Sequence, residues 1–207
     1  DGGLVARVGG DLGSDIDHRQ RPQSAVDAND NRTTFSYSQI TATDESLRDV
    51  EVETQAVGTP MERSIRTEYD ARTSLPLFNS SGAIEKTWEY NARSQVTKKS
   101  TKDIQTGARL DWTMTYCETV TPTCPVSSLL KRTIGPDGDA TDFTYSANGD
   151  LYTLTNALGQ VTTVLQYDSF GNPTTIRDPN GVETGYEYDS RNHLISQYGG
   201  VIATLRR

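Results

Sequence analysis

The chain has 207 residues, enough for one ordinary domain or part of a larger one, and only 33% of them are apolar at a mean hydropathy of −0.63. The net charge is −8, and the basic pairs Lys98–Lys99 and Arg206–Arg207 are too short to follow a phosphate backbone, which argues against nucleic-acid binding. No run approaches the ~18 apolar residues of a membrane span, and a start at Asp1 without Met or leader leads us to expect an excerpt.

Ten Tyr stand against four Phe, two Trp and two Met, with many Thr and Gly. That mixture suits thin, half-exposed sheets better than a thick helical core. Low hydrophobicity also fits disorder, but the aromatics are regularly placed.

Along the chain, residues 1–26 carry no clear phrase and are expected to be a degenerate repeat or a connecting segment. A repeating phrase then begins at Asp30–Tyr37 (DNRTTFSY) and is clearer at Gly138–Tyr145 (GDATDFTY), Gly159–Tyr167 (GQVTTVLQY) and Gly181–Tyr188 (GVETGYEY). Thr33, Thr141, Thr162 and Thr184 each stand three residues into it. The terminal tyrosines are Tyr37, Tyr69, Tyr90, Tyr116, Tyr145, Tyr167 and Tyr188, giving a unit of about 21 residues with insertions.

Two residues before each Tyr stands Phe35, Thr67, Trp88, Met114, Phe143, Leu165 or Tyr186. A spacing of two places both side chains on one face of a strand, whereas a helix would splay them by roughly 200°. Gly149, Gly171 and Asn192 follow four residues after their tyrosines, where a left-handed turn residue belongs. Thr73 and Ser94 hold that slot after Tyr69 and Tyr90, so those two turns are expected to be built differently. Return strands at Leu151–Thr155, Pro173–Arg177 and His193–Gln197 lead to second turns such as Gly135–Gly138 and Asp178–Gly181. The unit is therefore an antiparallel hairpin, and seven units predict about fourteen strands. A lone hairpin is marginal in water, so neighbours must stabilise one another laterally.

Candidate chemistry is sparse. Cys117 and Cys124 flank a six-residue loop, and the two histidines, His18 and His193, are too distant in sequence to complete a metal site with them. A disulfide in a hairpin insert is expected, with reduced buried thiols as the alternative. Asp137, Asp139 and Asp150 lack the dense ligand alternation of a calcium loop. Neither histidine has a nucleophile at a recognisable spacing, and no glycine-rich loop precedes a helix. No catalytic residue, metal or cofactor is expected. The tyrosine rows could stack sugars, but cross-strand packing already explains their period.

These phrases resemble the YD repeat of RHS (rearrangement hotspot) proteins: a Gly, a Thr, then aromatic-x-Tyr-Asp and a Gly four after the Tyr. Tyr167–Asp168 with Gly171 and Tyr188–Asp189 after Gly181 match closely, Tyr69–Asp70 matches at the dipeptide, and Tyr90–Asn91 and Tyr145–Ser146 depart by one residue. The stretch from Cys117 through Cys124–Pro125 and Leu129–Leu130 to Gly135 is similar to an insertion common in bacterial members. The resemblance implies an all-β strip of tandem hairpins over residues 27–200, with an insertion at 117–135, and the start of a further repeat or a truncated end at 201–207. It implies an arc of a hollow shell around a C-terminal toxin or effector, structural and not enzymatic, and exported or at the cell surface. Its partners would be the rest of its own polypeptide or further copies of the repeat. Adhesion through glycans or a protein partner, as in teneurin-like relatives, and assembly into a fibre are the alternatives. Asp178-Pro-Asn-Gly is similar to the start of an RHS self-cleavage junction, but the longer continuation is absent and turn formation accounts for it.

Overall fold

The computed structural model describes residue 19, residues 21–27 and residues 30–202. His18, most of the segment expected at 1–26, and residues 203–207 of the expected C-terminal segment lie outside them. Every regular element among the described residues is a β-strand. Two compact units, residues 1–111 and 112–207, divide the chain. The first holds β1 (Ser24–Val26), β2 (Arg32–Thr41), β3 (Leu47–Gln55), β4 (Arg63–Asp70), β5 (Pro76–Ser81), β6 (Ile84–Tyr90) and β7 (Val96–Asp103). Strand β8 (Arg109–Tyr116) begins there and leads into the second. The second continues with β9 (Leu130–Ile134), β10 (Ala140–Tyr145), β11 (Leu151–Thr155), β12 (Val161–Tyr167), β13 (Pro173–Arg177), β14 (Val182–Tyr188) and β15 (Leu194–Ile202). Sheet order is chain order, and successive strands within each unit pair antiparallel. The 15 strands compare with about fourteen expected.

The period of two is visible in burial. Phe35 and Tyr37, Trp88 and Tyr90, Met114 and Tyr116, Leu165 and Tyr167, and Tyr186 and Tyr188 are half-buried, while the residue between each pair is exposed. Cross-strand partners share a face. In the second unit one face therefore carries Met114, Tyr116, Leu130, Phe143, Leu154, Val164, Ile176 and Tyr186 through the registers Tyr116↔Leu130, Phe143↔Leu154 and Val164↔Ile176. The other carries the polar rows Thr115↔Arg132↔Asp142↔Thr155 and Thr144↔Thr153↔Thr163↔Arg177↔Glu183. Arg132 pairs with Asp142 at 2.8 Å, Arg177 with Glu183 at 2.6 Å, and the Thr144 and Thr153 hydroxyls meet at 2.6 Å.

In the first unit the alternation is weaker. Strand β3 sets Asp49, Glu51 and Glu53 on the face of Tyr37 and Tyr69, and turns Val50 and Val52 to the other. Val50, Cys117 and Cys124 are the only buried hydrophobic residues described, as befits a single layer.

Both kinds of hairpin end share one turn. In Asp168–Asn172 the Gly171 N–H donates to the Asp168 carbonyl at 3.2 Å and the Asp168 N–H to the Asn172 carbonyl at 3.0 Å. This is a type I turn closed by a left-handed bulge residue. Ser146–Asp150, Asp189–His193, Asn156–Gln160 and Asp178–Val182 repeat it, with positive φ at Gly149, Asn192, Gly159 and Gly181. So does Asn91–Gln95, where Ser94 takes the left-handed position at φ 62°, contrary to the expectation of a different turn after Tyr90. The turn after Tyr69 does differ. It is one residue longer, with Ser74 and not Thr73 at positive φ; the Ser74 N–H donates to the Asp70 carbonyl at 2.8 Å and the Asp70 N–H to the Leu75 carbonyl at 2.9 Å.

A second irregularity recurs: the register shifts by one residue just before Tyr69, Tyr90, Tyr116, Tyr145, Tyr167 and Tyr188. A bulge of this kind strengthens local twist and re-aims the side chains beside it.

Replacing Gly171 (φ 86°) or Gly181 (φ 84°) by Val is expected to destabilise the fold. The cost should be about 1–2 kcal/mol each, because a Cβ opposes the left-handed backbone. Asn192→Gly at φ 63° should be neutral or slightly stabilising. Urea unfolding midpoints check the ranking.

Candidate functional site

The tyrosines act at places where the ladder between consecutive hairpins stops short. Between β13 and β14 the last rung toward the tip is Thr175↔Gly185. Two residues further out, the Tyr188 hydroxyl donates to the Pro173 carbonyl at 3.1 Å. Carbonyls two apart on a strand point to the same side, so Pro173 offers its oxygen where the next rung would fall. The same offset recurs elsewhere. Tyr167 donates to the Leu151 carbonyl at 2.5 Å beyond Thr153↔Thr163, and Tyr145 to Leu130 at 2.5 Å beyond Arg132↔Asp142. Tyr90 donates to Pro76 at 2.8 Å beyond Phe78↔Thr87, and Tyr37 to Pro22 at 2.9 Å beyond Ser24↔Thr34. At Tyr90, Tyr145, Tyr167 and Tyr188 a phenol supplies the rung that the main chain does not, whereas beside Tyr37 the Phe35 N–H also donates to the Gln23 carbonyl at 2.9 Å.

The exception supports this account. Between β3 and β4 the ladder runs to the end at Arg48↔Asp70, and the Ala71 N–H, not a tyrosine, donates to the Leu47 carbonyl at 3.1 Å. Tyr37 also departs from its expected place. It pairs with Glu51 in mid-strand, and the β2–β3 hairpin closes beyond Thr41↔Leu47. Arg21 lies over its ring at 3.9 Å. The other repeat tyrosines sit at hairpin ends: Tyr69↔Pro76, Tyr90↔Val96, Tyr116↔Leu130, Tyr145↔Leu151, Tyr167↔Pro173 and Tyr188↔Leu194. Trp88 and Tyr186 lie on the same strands in line with Tyr90 and Tyr188.

The residue after the tyrosine organises the turn. Asp168 Oδ1 accepts from the Phe170 and Asn172 N–H groups, both at 2.9 Å. Asp189 Oδ1 accepts from those of Arg191 and His193 at 2.8 and 2.9 Å, and Asn91 and the Ser146 hydroxyl act likewise. Asp178 does the same at the opposite end of its hairpin, toward Asn180 and Val182, so Asp178-Pro-Asn-Gly is a turn. These bonds to the charged form hold the Asp168 carboxyl below the usual range, first through Asn172, and the Asp189 carboxyl, first through His193. His193 Nδ1 lies 3.3 Å from Asp189 on the exposed tip. Successive tips also touch, Asn172 donating to the Asn192 side-chain oxygen at 3.0 Å.

In the insert, Cys117 and Cys124 are joined in a disulfide with Cα atoms 5.9 Å apart. The irregular stretch is 117–129, since Leu130–Ile134 form β9. Among the described residues no three His, Cys, Asp or Glu converge to hold a metal ion, and no helix is long and apolar enough to cross a membrane. Two depressions lie between hairpin tips and beside the insert. One is lined by Asp70, Thr73, Leu77, Tyr90 and Asn91, another by Tyr116, Cys124, Lys131, Asp142 and Phe143. The hydroxyl bonds and side-chain turn bonds hold adjacent hairpins in register.

Tyr→Phe at Tyr145, Tyr167 or Tyr188 is expected to cost about 1 kcal/mol each, the net value of one hydrogen bond. Burial pushes the Tyr145 and Tyr167 phenols above their ordinary value, with Asp150 adding to the effect at Tyr167. A raised folded-state value means that this contribution is complete below about pH 10 and is lost as pH rises through the folded values. Chemical unfolding between pH 7 and 11 should therefore show wild type losing its advantage over a Tyr145→Phe/Tyr167→Phe variant at the alkaline end.

Comparison with known proteins agrees with this geometry. The RHS repeat family matches residues 145–183 and 167–199, which contain the Tyr145, Tyr167 and Tyr188 units. No curated protein matches the chain. Among solved structures, the Photorhabdus luminescens Tc holotoxin pore is 16% identical at a TM-score of 0.58, over 87% of this chain and 10% of its own. The TcdB2–TccC3 complex without its hypervariable C-terminal region is 16% identical at a TM-score of 0.63, over 88% of this chain and 10% of its own. The TcdB2–TccC3 complex gives 16% and 0.61, over 87% and 10%. At such identities the likeness is one of fold, and the chain spans about a tenth of the length of the structures it matches. Residues 145–199 thus match RHS repeats, and the hairpins before them share the sheet order and, at Tyr37 and Tyr90, the hydroxyl bond to a main-chain carbonyl.

Proposed function

We propose that this RHS-repeat scaffold is a stretch of wall, structural and not catalytic, in an exported or surface-displayed protein that encloses or presents a C-terminal toxin or effector. The observation that carries the reading is the pair of unlike faces on one layer in the second unit. Aromatic and aliphatic residues line one, with Thr133, Thr141, Thr162 and Thr184 among them, and the charged Arg132–Asp142 and Arg177–Glu183 pairs with further Thr rows line the other. A soluble sheet normally buries its apolar face against a second layer. A wall instead turns that face toward an enclosed space, and its other partner is the rest of the same polypeptide.

Enclosure also makes sense of the hydroxyl rungs. A single layer has little burial to hold it, so its resistance to opening depends on how completely adjacent hairpins are joined. Tyrosine hydroxyls already donating to carbonyls account for the aromatic rows without a sugar ligand. The disulfide is compatible with an oxidising destination.

The test uses the full-length polypeptide that carries this chain. Limited proteolysis should spare the region C-terminal to the repeats at protease concentrations that digest the same region expressed alone. Equal digestion rates would contradict enclosure.

A further inference from the structure

The insert after β8 does more than lengthen its own hairpin. Cys117 continues the strand by one rung, its N–H donating to the Leu129 carbonyl at 2.8 Å and its carbonyl accepting from Ser128 at 2.8 Å. The chain then doubles back through a two-bond turn, Thr121↔Cys124, with the disulfide tying the turn to the strand end. This fold-back brings the insert onto the next hairpin. The Thr123 carbonyl accepts from the Tyr145 N–H at 3.1 Å, and Val126 sits so close to the tip that a Cβ on Gly149 would meet its Cγ2 at 3.3 Å.

An isolated two-residue bridge is marginal in water, so the covalent link is what holds Thr123 in position, one residue from Cys124. We propose that residues 117–129 are a redox-controlled strap. With the disulfide formed, the strap closes over the turn of the β10–β11 hairpin; with it reduced, the strap opens, while the β12–β13 and β14–β15 hairpins stay paired. This inference does not depend on what the sheet encloses.

The step balances with a dithiol as reductant. One thiolate attacks a protein sulfur and forms a mixed disulfide; the second thiol of the reductant then displaces it. Cys117 and Cys124 leave as two thiols, and the reductant leaves as its own disulfide. Residue exposures of 2% at Cys117 and 5% at Cys124 mean that the strap must lift before attack, so closing is favoured once oxidation has occurred. A chain assembled in a reducing compartment would thus carry an open strap, which locks on reaching an oxidising one.

Amide hydrogen exchange on the whole chain, oxidised and then held reduced with dithiothreitol, tests the idea. Exchange at Tyr145 and across residues 118–126 should accelerate tenfold or more on reduction, with Tyr167 and Tyr188 unchanged. The Cys117→Ser/Cys124→Ser variant should show the reduced pattern without reductant. Equal protection of Tyr145 in all three samples would overturn the strap. Loosening of Tyr145, Tyr167 and Tyr188 together would also overturn it, because the disulfide would then be a staple for the whole unit.

Discussion

The structure depends on one constraint: a single-layer sheet must satisfy its backbone where neighbouring strands diverge. Bulges beside the tyrosines twist each hairpin near its end, and the short ladder between consecutive hairpins stops there. A carbonyl left over at that point would go unmatched in a half-buried setting, at a cost comparable to a lost hydrogen bond. The phenol answers this with reach that Phe, Leu or Val lacks. It spans the gap with its ring, covers apolar neighbours and donates at its tip. That combination accounts for Tyr37, Tyr90, Tyr145, Tyr167 and Tyr188, half of the ten Tyr in the chain.

Turn chemistry and ladder chemistry are coupled by adjacency. The Asp or Asn after the tyrosine fixes the turn through its own carboxyl or amide, and so fixes where the tyrosine leaves the strand. Ser146 fills the role with a hydroxyl, at 3.3 and 3.2 Å to the two N–H groups where Asp168 makes 2.9 Å. At Tyr167–Asp168 and Tyr188–Asp189 the dipeptide is therefore two hydrogen-bonding devices side by side, one facing the neighbouring hairpin and one facing its own turn. Below the ordinary carboxylate range the Asp bonds weaken, and above about pH 10 the phenol bonds do. The hairpin ends are most secure between those limits.

Much of the strand pattern was legible in the sequence, because alternation by two and Gly four residues past Tyr are side-chain signals. Gly149, Gly171, Gly181 and Asn192 all take the left-handed backbone that their positions imply. The hydroxyl acceptors were not legible. Pro22, Pro76, Leu130, Leu151 and Pro173 accept through main-chain oxygens, which every residue possesses, so nothing in their side chains marks them. The bulges left no signature for the same reason. Ser94 departs from the expected turn because the Asn91 side chain holds it firmly enough for a serine to occupy the glycine slot. Tyr37 matched the phrase yet sits four residues short of its turn, in a hairpin whose longer ladder displaced the end.

The most direct test of the hydroxyl rung observes the hydroxyl proton itself. Proton NMR of the folded chain should reveal slowly exchanging phenolic protons for Tyr145, Tyr167 and Tyr188, each with a nuclear Overhauser contact to Leu130, Leu151 and Pro173 respectively. Phenolic protons exchanging as fast as those of free tyrosine would mean that the hairpins are held by main-chain ladders alone, and the proposed basis of the sheet would be wrong.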